Sequence, residues 1–185
     1  MKLFIAIDFD KTTKEILGRS AEWLETSEEN NNWQIEEKEK FHLTLFYLGD
    51  TYTQDTLSKT LKKVNFKEFH LCPDDLGIFR KEQFGVIWAG VGGEVALLNE
   101  LRKKIEEALI CDGLSTGDTQ FRPHITLAYT DPDSLPSWEC LPLPYKTDHT
   151  ALISGFHLFA IDQQNGKETF PIIESFPFKE QSDKE

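Results

Sequence analysis

Two short stretches carry one chemical pattern: Phe41-His42-Leu43-Thr44-Leu45 and Pro123-His124-Ile125-Thr126-Leu127. Each places a His and a Thr two residues apart inside an apolar run. In a strand, residues i and i+2 share a face, so His42 and Thr44 point one way while Leu43 and Leu45 pack behind them. His124 and Thr126 repeat that arrangement. An imidazole titrates near neutral pH, so of two, one can be neutral and accept a proton while the other is charged and gives one. Threonine hydroxyls can donate to the non-bridging oxygens of a phosphate. Two imidazoles and two hydroxyls in one cleft suit a phosphodiester with water attacking on one side and an alcohol leaving on the other. A 2′,3′-cyclic phosphate fits best, because ring strain already lowers its barrier and no metal is needed.

Other chemistries find less support. Metal ligation by the two histidines lacks a carboxylate or third His on the same face of either motif strand, so no metal and no cofactor is expected. No nucleophile elbow is present for serine catalysis. Gly90-Val91-Gly92-Gly93 lacks the full glycine spacing of a phosphate loop and reads as a turn. His70, His149 and His157 have no repeating context and read as structural or surface histidines. Asp8 and Asp10 read as turn or capping residues.

The elements that position the motifs are legible from periodicity. Residues 3–7 form an apolar strand, and Thr12 with Glu15 suggests a capping box opening a helix through Ile16, Leu17, Ala21 and Leu24. A polar loop over 27–40 holds a short strand near Trp33. The first motif strand, 41–48, ends at Gly49-Asp50, and a helix follows over 53–64. Short strands at 66–71 and 77–79 precede an apolar strand at 84–91. The helix over 94–110 carries the stripe Leu98, Leu101, Ile105 and Leu109, with Gly113 just past its end. After a polar loop, 115–120, comes the second motif strand, 121–129. Residues 131–150 are irregular, with a helical turn near Trp138. A hairpin of 153–161 and 169–178 closes the chain, and about 180–185 reads as a disordered tail.

The expected fold is therefore α+β: two pseudo-symmetric lobes whose antiparallel sheets line a central cleft, with helices outside. The whole chain, 1–185, is one domain of two interleaved lobes, each supplying one motif strand. The 185 residues include 32 acidic and 20 basic ones, a formal net charge of -12. Such a protein does not hold long nucleic acid by general attraction, although a few cations in a cleft would let it process an end. Its three cysteines, odd in number and widely spaced, argue for a reducing compartment. No stretch approaches membrane-spanning length. A cytoplasmic monomer without membrane contact is the expectation.

At these residues the sequence resembles the 2H phosphoesterase superfamily, named for its two H-x-T motifs. Within it the chain is most similar to the RNA 2′,3′-cyclic phosphodiesterases, also called 2′–5′ RNA ligases. The likeness extends to 3–8, 42–49, 86–91, 121–124 and the closing hairpin. It implies hydrolysis of RNA 2′,3′-cyclic ends to 2′-phosphomonoesters, with His42 as proton donor, His124 as proton acceptor, and Thr44 and Thr126 on the phosphate. From the residues alone the two histidines are interchangeable. Many relatives carry Arg at the positions of Phe46 and Tyr129. Phe46 shares parity with His42 and is expected in the cleft, under a base, or else in the core; Arg122 shares parity with His124 and is the best remaining cation. The substrates implied are RNA 3′ ends, short oligonucleotides or cyclic nucleotides, with 2′–5′ ligation as the reverse chemistry. Two alternatives are a relative acting on small cyclic nucleotides or ADP-ribose cyclic phosphate, and a non-catalytic RNA-end binding module.

Overall fold

The computed structural model describes residues 1–27, 32–116 and 120–179. The expected tail, 180–185, and parts of the two polar loops lie outside the described residues. The chain opens with β1 (Lys2–Asp8) and α1 (Lys11–Ser27). The cap of α1 is Asp10, whose carboxylate accepts from the Thr13 backbone N–H at 2.8 Å, so the helix starts before the Thr12 capping box would allow. The expected stripe of Ile16, Leu17, Ala21 and Leu24 is buried. Next come β2 (Gln34–Ile35), β3 (His42–Gly49) and α2 (Gln54–Leu61), capped by Thr53.

The long β4 (Phe69–Arg80) replaces the two short strands expected there. A register shift between Pro73 and Leu76 absorbs the proline, which has no N–H to give to the ladder. Then follow β5 (Gly85–Gly93), α3 (Val95–Cys111) and β6 (Ile125–Thr130). The second motif strand is thus shorter than expected, and His124 sits just before it. Residues 90–93 end β5 and are not a turn. The helical turn expected near Trp138 lies at Pro132–Ser134, where the Ser134 carbonyl accepts from the Trp33 indole N–H at 3.0 Å. The remaining strands are β7 (Cys140–Leu141), β8 (Ala151–Ile153), β9 (Gly155–Gln164), β10 (Lys167–Thr169) and β11 (Ile172–Pro177). Positive φ at Asn165 (53°) and Gly166 (79°) makes the tight turn between β9 and β10.

Among the described residues the strands form one open antiparallel sheet in the order β10-β9-β1-β3-β6-β5-β4-β7. Strand β11 pairs with β9, β2 with β6, and β8 with β4. The result is an α+β fold built from two halves, β9-β1-β3 and β6-β5-β4. Their seam is a single ladder pair, Leu43 with Ile125. These are the central residues of the two H-x-T motifs. The main core lies on one face, where Leu43, Leu45, Ile125 and Leu127 pack with Leu17, Leu24, Leu98 and Leu101 from the helices. A small cluster, Phe4, Ala6 and Phe159, marks the opposite face. That second face carries the site.

Candidate active site

An antiparallel pair centred on Leu43 and Ile125 brings His42 towards Thr126 and Thr44 towards His124, all on the face away from the helices. All four line one cavity of about 300 Å³. The two rings are held alike. His42 Nδ1 lies 2.6 Å from the Lys40 carbonyl, and His124 Nδ1 lies 2.7 Å from the Arg122 carbonyl. A carbonyl only accepts, so each Nδ1 carries the hydrogen and each Nε2 is left for chemistry.

Beyond the threonines both strands depart from simple alternation in the same way. Opposite Ile5 and Ala6 the partners are Phe46 and Thr44, so Leu45 is an extra residue in β3. Opposite Ile87 and Trp88 they are Ala128 and Thr126, so Leu127 is extra in β6. A bulge resets the parity of everything after it. Phe46 therefore turns inward, 3% exposed in the main core, and does not line the cleft as parity suggested. Tyr47 and Tyr129 turn onto the cleft face, and both line the cavity. Sequence reasoning missed this pair. The signal was available: a Tyr stands three residues after each motif Thr, following two consecutive apolar residues.

Behind the sheet, Arg102 of α3 serves both motifs. Its guanidinium lies 4.4 Å from the Phe46 ring centre and 4.6 Å from that of Phe121, and Nε donates to the Leu45 carbonyl at 3.3 Å. It thus holds the first bulge and the approach to the second motif together. Arg122, the expected cation, lies on the side of His124. It stacks over Trp88 at 4.7 Å and Phe79 at 5.6 Å, and lines a neighbouring groove of about 770 Å³ on the His124 side, not the cavity between the histidines.

The rings' surroundings differ in charge. Around His42 stand the rings of Phe4, at 4.9 Å, and Phe170, at 5.4 Å. Burial pushes the His42 pKa down, while its Lys40 carbonyl partner and the carboxylates of Glu36 and Asp8 pull it up; Lys14 acts against them. Around His124 stand Phe79, edge-on at 4.9 Å, and Trp88. Burial lowers its pKa too, opposed by the Arg122 carbonyl, but the Arg122 guanidinium and Lys81 lower it further. The carboxylates near His42 are ion-paired, Glu36 with Lys40 at 3.1 Å and Asp8 with Lys14 at 2.7 Å, whereas the charged groups acting on His124 are both cations. The remaining histidines stand elsewhere: His149 pairs with Asp10 at 3.1 Å, His157 Nδ1 lies 2.9 Å from Ser175 Oγ, and His70 is 3.6 Å from Glu94.

The site's geometry can be set beside known proteins. Residues 20–163 match the 2′-5′ RNA ligase superfamily. The chain belongs to that superfamily. Within the superfamily it is 34% identical over 95 residues to an RNA 2′,3′-cyclic phosphodiesterase of Aeropyrum pernix, a match covering 50% of this chain and 54% of the relative. It is 33% identical over 130 residues to an RNA 2′,3′-cyclic phosphodiesterase of Geobacillus stearothermophilus, covering 68% of this chain and 40% of that one. Matches to these curated relatives thus span about half of their length or less. Among solved structures, E. coli LigT complexed with 3′-AMP superimposes with a TM-score of 0.76 at 22% identity, covering 96% of this chain and 97% of LigT. TT0787 of Thermus thermophilus gives 0.73 at 21% identity, covering 96% and 98%. These two likenesses show a shared fold, the one expected from the paired motifs.

Proposed function

We propose that the protein is a metal-independent RNA 2′,3′-cyclic phosphodiesterase in which His42 and His124 act as acid and base. The observation that carries this reading is geometric: His42, Thr44, His124 and Thr126, from strands paired at Leu43 and Ile125, line one cavity with both rings tethered alike at Nδ1. Cations beside His124 favour its neutral form, with a bare Nε2 to accept a proton from water. Burial lowers the His42 pKa, and the carboxylates of Glu36 and Asp8 work against it towards the charged form, with a proton on Nε2 to give away. Water oxygen bonds to phosphorus as its proton passes to His124. The bond from phosphorus to the 3′ oxygen breaks, and that oxygen takes the proton of His42. The product is a 2′-phosphomonoester, and the two rings have exchanged protonation states. Thr44 and Thr126 donate to the non-bridging oxygens. Arg122 and the groove beside it would meet the rest of the substrate.

The names of the two relatives support the activity, and the motif residues support the mechanism. A second reading, turnover of small cyclic nucleotides, is favoured by the modest 300 Å³ cavity in a chain of net charge -12, and by a LigT structure that holds 3′-AMP. Residence in the cytoplasm as a monomer belongs to the same proposal; among the described residues no helix is long and apolar enough to cross a membrane. The test is to incubate the protein with EDTA and an oligoribonucleotide ending in a 2′,3′-cyclic phosphate, alongside the mononucleotide. A 2′-phosphate product supports the reading. A 3′-phosphate, or turnover that EDTA abolishes, overturns it. Turnover of the mononucleotide alone moves it to the second reading, and binding without product moves it to an RNA-end binding module.

A further inference from the structure

We propose that Tyr47 and Tyr129 make the site select the charge of its ligand, holding a singly charged phosphodiester and releasing a doubly charged phosphomonoester. The inference rests on the phosphodiesterase reading and goes beyond it to substrate discrimination and product release.

Three observations carry it. The full repeat is H-x-T-x-x-Y, present in both strands, and a matching one-residue bulge in each turns the tyrosine onto the face of its His and Thr. Both tyrosines line the cavity while remaining open to solvent, 56% and 38% exposed. Among the described residues no protein group engages the Thr44 or Tyr47 hydroxyl; the Tyr129 hydroxyl is hydrogen-bonded with that of Thr126, and burial raises its pKa and keeps it protonated. The formal charges lining the cavity are Lys40 and Glu36, which cancel in an ion pair of 3.1 Å with side chains 17% and 15% exposed. Arg122 and Lys81 line not this cavity but the adjoining groove, which shares His124, Thr126 and Tyr129 with it, and the Arg122 guanidinium is stacked on Trp88.

A phosphate between the histidines is therefore faced by four neutral hydroxyls. The charge sum then decides. In the reactive state, with His42 protonated against the burial that lowers its pKa, the bound cyclic diester of charge -1 is balanced. Transfer of the two protons conserves that balance, because the new monoester still carries the hydrogen of its P–OH and His124 now holds the positive charge. The P–OH ionises with a pKa of about 6, so at pH 7 the product gains a second charge that nothing in the cavity offsets. The cost of dehydrating an ion grows with the square of its charge, whereas its attraction to neutral hydroxyls grows only in proportion. A guanidinium in either tyrosine position would reverse that preference.

The measurement is steady-state turnover of adenosine 2′,3′-cyclic phosphate at pH 7.5, with adenosine 2′-phosphate as product inhibitor. For the wild type we expect an inhibition constant about tenfold or more above KM. Tyr47→Arg, at the more exposed position, and Tyr129→Arg should each tighten product inhibition about tenfold more than they change KM. Tyr47→Phe and Tyr129→Phe should raise KM by about threefold to tenfold by removing a donor. Unfolded variants are excluded by circular dichroism, and the Tyr47 variants serve if those at Tyr129 fail to fold. A wild type inhibited by product near its KM overturns the proposal, as do Arg variants whose ratio of inhibition constant to KM stays within twofold of wild type. Absence of wild-type turnover strikes the phosphodiesterase reading alone. Calorimetric titration with the same two nucleotides then still tests the preference: equal affinities refute it, and tighter cyclic phosphate supports it.

Discussion

The two motif strands differ in almost nothing except their neighbours. Both present an imidazole tethered at Nδ1 by the carbonyl two residues upstream, then a threonine, a bulge and a tyrosine. Yet the charges acting on the His42 ring are the carboxylates of Glu36 and Asp8 opposed by Lys14, and those acting on the His124 ring are the cations Arg122 and Lys81. Duplicated motifs give duplicated geometry; any division into acid and base has to come from side chains outside the motifs. In the proposed reaction the asymmetry lives in charge, not in shape.

The most severe way to break the comparison is to remove either ring. His42→Ala and His124→Ala should each lower kcat by about 10²-fold or more in a cyclic-phosphodiesterase assay, with folding unchanged by circular dichroism. Near wild-type turnover in either would end the paired acid–base account. A subtler intervention exchanges the surroundings. Glu36→Gln withdraws a carboxylate that favours charged His42, so the alkaline limb of the pH–rate profile, where the acid is lost, should move to lower pH. Arg122→Gln withdraws a cation that disfavours charged His124, so the acid limb, where the base is lost, should move to higher pH. Both changes narrow the bell, from opposite sides. If the two variants move the same limb, the assigned roles are wrong.

The smallest effect treats both sides alike. Burial depresses the folded-state pKa of His42, His124 and His157. The unfolded chain then binds more protons than the folded one below about pH 6.5, so stability is full above that value and declines as pH falls towards the folded pKa values. The melting temperature should drop between pH 7 and pH 5, before the salt-bridged carboxylates of Asp112 and Glu174 titrate near their lower range. A melting temperature flat across that interval would show the rings are not held neutral by burial.

The motif centres, the helix stripe of α3 and the strands flanking each motif were legible because they follow regular periods of two or 3.6 residues. What escaped were the irregularities. Parity assigned Phe46 to the cleft, since nothing in a local reading announces that Leu45 is an extra residue. Only the pairing with β1, far away in sequence, fixes that bulge. The run Leu45-Phe46-Tyr47, matched by Leu127-Ala128-Tyr129, was the available clue: two apolar residues in succession and then an aromatic carrying a polar tip. The surroundings of Arg122 were hidden for a different reason. Its placement depends on Trp88 and Phe79 in another strand pair, and Trp88 lies so close over Gly77 that a Cβ there would come within 2.3 Å of the indole. Such packing is decided by the tertiary fold, beyond the reach of a window along the chain.

The strand order also dictates a sequence of events in synthesis. Strands β4, β5 and β6 are drawn from a nearly continuous middle stretch, so the wall around His124 can assemble from residues already made. His42 is translated earlier yet waits longer: Phe159 and Phe170, which pack on its ring, lie in and beside the hairpin near the end of the chain, and β1 finds its outer partner only in β9. Contacts of such long sequence separation form late and slowly. A nascent chain halted before residue 155 would hold His124 with its aromatic neighbours in hand and His42 with Phe4 but not Phe159 or Phe170.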